Sequence, residues 1–528
     1  MGYQRIIERL HVFALCFMAI SLPLSESLVS VGCGLILLMA LLHPDWSGKW
    51  ERLKHDKTVM IVLSIYAVYL IGMLFTTDMK MALYDLRKNM FIPMLAIGVG
   101  LGPRIERKHL NNTLWCFLGA MNISVIVGLI KFVFRDQLGI ETSWDISFVS
   151  HIRFSFQLIL AASLLLYFLY KQKSKLWNWQ KRFLLFDALL MVVFLLIQKS
   201  LIGILALGTS TVVGAIIGIR LLQSVWLKRA FTVILLVVVL GIPAYVGWAI
   251  HRFYDVEEVE LSELDQYTSR GNKYKHDTES KLLENGHYTD IYLCVPELRV
   301  AWNKRSEIDY DGDGKTGFMI CSTLVRYLTA KGLRKDADGV EALTPEDIKN
   351  IEAGVANPIF KERFASIYPR IYKTIWEIDV YLKTDDANYK SLAQRIEFGK
   401  AACNIISDNW LFGVGTGNWK KAFWDTYRKN SPKLKEELYA SSHNQYLNYT
   451  VKFGIIGMLW IMIAWLLPVF MKRRHLFFPM IMLWVIMAVA NLGDSNFESH
   501  MGLSFFMFFY SIFLWSEVEP NAKPITKK

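Results

Sequence analysis

The amino-acid sequence predicts an all-α polytopic membrane protein of about twelve transmembrane helices, with a large, mainly helical extracytoplasmic insert between the ninth and the tenth. Three observations predict it. Of the 528 residues 53% are hydrophobic and 17 are Trp, a composition that does not suit a soluble chain of this length. Apolar runs able to cross about 30 Å of hydrocarbon recur along the chain. Lys and Arg crowd alternate connections between those runs.

The runs lie at residues 10–24, 27–43, 59–76, 90–102, 113–134, 152–170, 183–198, 201–219 and 230–249, and again at 450–471, 476–491 and 502–516. One side receives Arg5 and Arg9, Lys49 to Lys57, Arg104 to Lys108, Lys171 to Arg182, then Arg220, Lys228 and Arg229. The same side takes Lys472, Arg473, Arg474 and the tail with Lys523, Lys527 and Lys528. The other side holds chiefly Lys80, Arg87, Lys88 and Arg135. Both termini of a multi-pass membrane protein are therefore expected in the cytoplasm, with the insert on the opposite side. The first run has no small-residue cleavage site after it and reads as a helix, not a signal peptide.

The expected organisation is a membrane domain over 1–249, an extracytoplasmic loop domain over 250–449, and a membrane domain with a cytoplasmic tail over 450–528. Residues 251–450 carry about 28 basic and about 31 acidic side chains, so the formal charge of +12 belongs to the membrane part. That pattern is positive-inside topology and excludes nucleic acid as a partner. No repeat of fixed period is visible and the two halves do not mirror, which argues against an inverted-repeat transporter.

Within the insert, Thr344 followed by Pro345, Glu346 and Asp347 reads as a helix start, with Thr344 at the cap and Pro345 in the first position. Residues 358–382 read as one amphipathic helix through Phe360, Phe364, Ile367, Ile371 and Ile375. A further helix is expected from Leu392 to Ile406, stopped by Asp408 and the turn Gly413, Val414, Gly415, Thr416, Gly417, Asn418. This turn lacks the Lys-Ser/Thr ending of a phosphate-binding loop and follows no parallel strand, so a structural turn is the favoured reading. Asp309, Asp311, Asp313 and Gly314 match the first half of a calcium loop, but Ile320 stands where a bidentate Glu is needed. A plain Asp-Gly turn is therefore preferred, and no metal or other cofactor is expected. Cys294, Cys321 and Cys403 in the insert have no metal-ligand spacing; one disulfide with a free thiol, or three buried thiols, fit equally. Trp302, Trp376 and Trp424 read as core in preference to sugar-stacking platforms.

Ser442, His443, Asn444, Gln445, Tyr446 and Leu447 stand where the insert re-enters the bilayer. An imidazole there suits proton transfer near neutral pH. His151, Arg153, Lys88 and Lys199 fall at the same depth, with Asp494 and Glu498 as acidic counterparts in the last outer turn. A buried cation at such a depth requires a counterion or an anionic ligand, although snorkelling to headgroups explains Lys88 and Lys199 equally well. Cations around one His suit a lipid-linked diphosphate.

The stretch from Gly413 to Trp419 (GVGTGNW), then His443, Asn444, Gln445, Tyr446 and Leu447 ahead of a glycine-containing span, resembles the O-antigen ligase and polymerase superfamily. His151 to Ser155, Arg395 and the segment from Asp494 to Gly502 resemble that family too, and the span plan is similar. The resemblance implies a metal-independent glycosyltransferase that moves a glycan from undecaprenyl diphosphate to an acceptor hydroxyl, on lipid A core in ligases and on growing polysaccharide in polymerases. It implies that His443 activates the acceptor, supported by His151, Asn444, Tyr446, Asp494 and Glu498, and that Arg395 and a second cation hold the diphosphate. Arg153, Lys199 and Lys88 are the candidates for the second cation, because Leu201 follows Ser200 where the family often has arginine.

Ligase is preferred over polymerase, with transfer to protein hydroxyls as a further enzyme reading. A flippase or transporter of the same anionic lipid would use the cations as a path and need no base. A sensory insert on a bare anchor would not need so many spans.

Overall fold

The computed structural model describes residues 2–135, 137–140, 145–172, 174–256, 259–260, 263–361 and 367–518, so Phe364 and the tail lysines Lys523, Lys527 and Lys528 lie outside the described residues. The chain is mostly helical, at 70% helix with little strand. It divides into two compact units, one formed by Met1–Lys228, Phe398–Ser431 and Tyr439–Lys528, the other by Arg229–Glu397 and Pro432–Leu438.

The first unit opens with α1 (Gly2–Ser21), α2 (Glu26–Leu42), α3 (Trp46–His55), α4 (Thr58–Met73), α5 (Met79–Lys88), α6 (Phe91–Gly100), α7 (Arg107–Val133), α8 (His151–Lys171), α9 (Asn178–Gln198) and α10 (Leu201–Leu221); α11 (Val225–Phe253) follows, all but its first turn belonging to the second unit. The apolar runs of the sequence all fall on helices. Among the described residues five helices are long and apolar enough to cross a membrane: α7, α8, α10, α11 and α19 (Gln445–Met471); the bent pair α2 and α3 makes six if counted as one span. Ser25 and Ser200 cap α2 and α10 by accepting from Leu28 N and Gly203 N, which satisfies donors that a helix start leaves open. The unit is completed by α18 (Trp419–Asn430), α19, α20 (Phe478–Gly493) and α21 (His500–Trp515).

Helix α21 is the axis of this unit, since every residue from Met501 to Leu514 is buried. Phe506 and Tyr510 pack edge-on against Trp465 of α19 and Trp484 of α20, and Phe509 against Phe117 of α7. By contrast α11 exposes Ile234, Leu236, Val237 and Leu240, the composition of a helix surrounded by lipid.

The second unit contains a ribbon of β1 (Leu283–Glu284) and β2 (His287–Tyr288), joined through Asn285 and Gly286, both at positive φ as a two-residue hairpin requires. Its helices are α12 (Val295–Asn303), α13 (Ile320–Ala330), α14 (Ala337–Glu341), α15 (Pro345–Glu352), α16 (Tyr368–Thr384) and the start of α17 (Ser391–Asp408). A core of Leu298, Trp302, Leu324, Tyr327, Val340 and Ile351 closes it. Thr344 caps α15 in a reciprocal box with Asp347, with Pro345 in the first turn, as the sequence indicates.

The helix expected over 358–382 is instead a 3-10 turn at Pro358–Lys361 and an α-helix that begins at Tyr368. Pro369 explains the start, because proline is tolerated in the first turn, where its missing N–H leaves no bond unmade. All six cysteines are free, with Cys294 buried and Cys403 exposed. In the Asp309 loop both carboxylate oxygens of Asp311 are taken by Arg299, at 2.8 and 2.9 Å, while Asp309 accepts from Asn303. Among the described residues no group of three metal-ligating side chains occurs. Trp302 is core, Trp376 lies under the Arg326 guanidinium, and Trp424 packs on Tyr439.

Candidate active site

The first unit positions His443 immediately before α19. Asn444 is the cap of that helix, its side-chain oxygen accepting from Tyr446 N and Leu447 N at 3.0 and 3.1 Å. His443 is thereby forced into left-handed backbone geometry at φ 49°, which costs a non-glycine residue on the order of 1–2 kcal/mol. Such strain persists only where the surroundings impose it. Here Asn444 also donates to Leu492 O at 3.1 Å, and Phe398 stacks on the imidazole at 5.6 Å between centroids.

The imidazole Nδ1 lies 3.1 Å from Asp494 Oδ1. An ionised carboxylate only accepts, so Nδ1 carries the proton and Nε2 is left as the basic nitrogen. Among the described residues Nε2 makes no hydrogen bond, and the side chain is 38% exposed. The second oxygen of Asp494 takes Arg153 at 3.0 Å, and Ser495 N donates to the first at 2.8 Å. Burial by itself would raise the Asp494 carboxyl, but the His443 hydrogen bond and the Arg153 charge hold it below the ordinary carboxylate range. Arg153 stands one turn into α8, which His151 opens, and Tyr446 donates to Ala488 O at 3.3 Å.

A second charged cluster lies further along α19. Lys452 Nζ is 2.6 Å from Asp85 Oδ2 and 2.9 Å from Glu498 Oε1, while Lys88 Nζ is 3.0 Å from Glu498 Oε2. Trp419 Nε1 also donates to Asp85 Oδ2 at 3.0 Å. Two ammoniums and two carboxylates thus balance inside the fold, with Lys452 and Asp85 almost fully buried. Burial pushes the Glu498 carboxyl up, but Lys452 and Lys88 outweigh it and hold the group down at about 2. Lys88 is therefore already committed to carboxylates, and the same pair keeps its ammonium above the usual lysine range against the opposing effect of burial.

The glycine-rich turn explains why Lys452 reaches this position. Helix α19 breaks at Gly454, at φ 64° and ψ −173°. The backbone on either side of the break pairs with the turn: Val414 N and Gly415 N donate to Val451 O and Lys452 O at 2.9 Å, and Ile455 N donates to Trp410 O at 2.8 Å. Thr416 N and Gly417 N are consumed by Gly72 O and Thr76 Oγ1. These amide donors are all spent inside the protein, so the turn is structural and is not a phosphate cradle.

In the second unit, Arg395 and Arg370 make no hydrogen bond or ion pair through their guanidiniums among the described residues, and Arg370 Nε is buried without a partner. Burial lowers the Arg370 guanidinium; Glu377 opposes this and Arg395 adds repulsion. Lys373 is lowered likewise, first by burial, with Glu377 opposing and Arg370 repelling. Glu377, whose Oε2 accepts from Leu392 N at 3.2 Å, is the carboxylate that faces both Arg370 and Lys373.

Residues 353–462 match the family model described as O-antigen ligase. The match supports the O-antigen ligase superfamily. The matched stretch takes in α16, α17, the glycine-rich turn, His443 and the first two thirds of α19. No curated protein matches the chain. Glycosyltransferase-like enzymes make up this family.

Of the residues singled out in the sequence, the structure brings together His443, Asp494 and Arg153, and separately Glu498 and Lys88. Lys199 takes a different place, ending α9 in left-handed geometry. Sequence reasoning missed Lys452, Asp85, Trp419 and Arg370. For Lys452 a signal existed, since a lysine inside an apolar run is expensive there unless it is paired.

Proposed function

We propose that the protein is an O-antigen ligase-type glycosyltransferase of the bacterial inner membrane that transfers a glycan from undecaprenyl diphosphate to a hydroxyl of lipid A core. The observation that carries the reading is the His443 Nδ1 to Asp494 contact of 3.1 Å, which leaves Nε2 of a partly exposed side chain to act as the base. In the transfer, Nε2 accepts the proton of the acceptor hydroxyl as its oxygen bonds to the anomeric carbon. The bond from that carbon to the diphosphate oxygen breaks, and undecaprenyl diphosphate leaves with the electron pair. Asp494 stabilises the imidazolium as it forms, which favours the transition state over the ground state.

Arg395 receives the diphosphate in the role that the family resemblance gives it, and Arg370, in the same unit, supplies a second guanidinium. Two repelling guanidiniums with a buried unpartnered N–H support this, because a diphosphate would satisfy both. The topology proposed with it is about twelve spans, both termini cytoplasmic and residues 250–449 periplasmic.

The test is transfer by the purified full-length protein in liposomes from a lipid-linked oligosaccharide donor. His443→Ala is expected to abolish it; retained transfer would remove His443 from the chemistry, whereas a parent protein that translocates the donor without transferring its glycan would favour a flippase. Deletion in the source organism separates the enzyme readings. Polymer lost from lipid A with accumulation on the lipid carrier means ligase, core capped by one repeat means polymerase, and altered glycoproteins with unchanged lipopolysaccharide mean protein transfer.

A further inference from the structure

Helix α19 presents Gln445, Asn448 and Lys452 on one face, at the i, i+3, i+7 spacing of neighbouring turns. Each reaches the short connection between α20 and α21. Gln445 Oε1 accepts from Phe497 N at 2.9 Å, Asn448 Nδ2 donates to Ser495 Oγ at 2.6 Å, and Lys452 Nζ donates to Glu498 Oε1 at 2.9 Å. The same connection begins with Asp494, the residue that holds His443 Nδ1.

We propose that Lys452 is a positioning residue for His443, acting by anchoring the connection 494–499 and so fixing Asp494 against the imidazole. This rests on the reading of His443 as the base.

The anchoring runs through fixed points. Asp85 is held by Trp419 Nε1 and belongs to α5, so it is a rigid post for the Lys452 ammonium. Lys452 in turn grips Glu498, the last residue of the 3-10 turn Asn496–Glu498. At the near end Asp494 N still bonds to Ala490 O of α20. The connection is thus tied at both ends, and the aspartate cannot turn away from His443 unless one tie opens. The break at Gly454 makes the side-chain tie necessary, because Val451 and Lys452 carbonyls are held by the glycine-rich turn and not by the helix. A neutral side chain at 452 would leave Lys88 alone to balance Asp85 and Glu498, and buried carboxylates without counterions rearrange.

The experiment is a double-mutant cycle in the full-length protein in liposomes, with the lipid-linked oligosaccharide donor as substrate. Lys452→Met is made together with Asp85→Asn, which keeps the buried charge balanced while cutting the tie to Glu498. This variant is expected to lower kcat about tenfold or more and to leave the donor KM within about twofold. Adding Asp494→Asn to it is expected to cost less than about twofold more, because Lys452 acts through Asp494. A purely structural lysine predicts effects that multiply, and either that result or full kcat in the charge-balanced variant overturns the proposal. If the variant is not recovered folded, Glu498→Gln cuts the tie from the other side, with the same expectation and the same overturning results. Activity surviving His443→Ala would sink the base reading by itself, and the coupling of 452 to 494 is read independently of it.

Discussion

His443 and Asp494 meet at 3.1 Å across a separation of 51 residues, the histidine at the entry to one long helix and the aspartate at the exit from the next. Arg153 closes the far side of the carboxylate at 3.0 Å, so Asp494 is shared between an imidazole and a permanent cation.

Asp494→Asn keeps the shape of the side chain and removes the charge that Nδ1–H and Arg153 both use. The variant should fold, bind the donor with KM within about twofold of the parent, and lose roughly tenfold or more in kcat. His443→Ala should lose roughly 10²–10⁴-fold, the usual worth of a positioned general base. Equal donor KM and kcat for Asp494→Asn and the parent would remove the carboxylate from the mechanism.

Arg370 and Arg395 repel each other, and Glu377 opposes that repulsion at Arg370. Replacing either by Ala should raise the donor KM, and the double variant should lose more than the product of the two single effects, since in each single variant the remaining arginine still meets the diphosphate. Unchanged KM in Arg370→Ala would confine that arginine to the fold of the insert.

Gly454 has φ 64°, and a Cβ there would fall 2.1 Å from Leu411 O. Gly454→Ala should destabilise the protein by at least about 1–3 kcal/mol through backbone strain alone, with the collision in addition. Thermal unfolding in detergent reads this as a lowered Tm; a Tm equal to the parent's would mean that the break in α19 is not required.

Asp347 caps the start of α15 and is held down at about 2 from 3.8; burial opposes this, while Lys331, Tyr327 and Thr344 outweigh it. The unfolded carboxyl binds a proton first as pH falls, so the stabilisation is complete above about pH 4 and is lost on the way down to about pH 2. Its size is on the order of 1–2 kcal/mol. Amide exchange over residues 345–352 of the full-length protein, corrected for intrinsic rate, should show α15 opening across that window, and Asp347→Asn should remove the pH dependence.

The helical class, the positions of the apolar helices, the Thr344 cap and the place of His443 at the head of a span were all legible in the sequence. Each depends on neighbours a few residues apart: hydropathy over one span, a cap and its first turn, charge in one connection. The pairing of Asp494 with His443 and Arg153 was legible only as a shared depth in the membrane. Lys452 with Asp85, separated by 367 residues, the end-on packing of the glycine-rich turn against the break at Gly454, and Arg370 beside Arg395 were decided by tertiary structure. A buried ion pair is set by which helices pack together and how they rotate, and no local spacing encodes that. His443 itself divides the same way: the sequence placed the imidazole, and the fold decided which of its nitrogens faces a carboxylate.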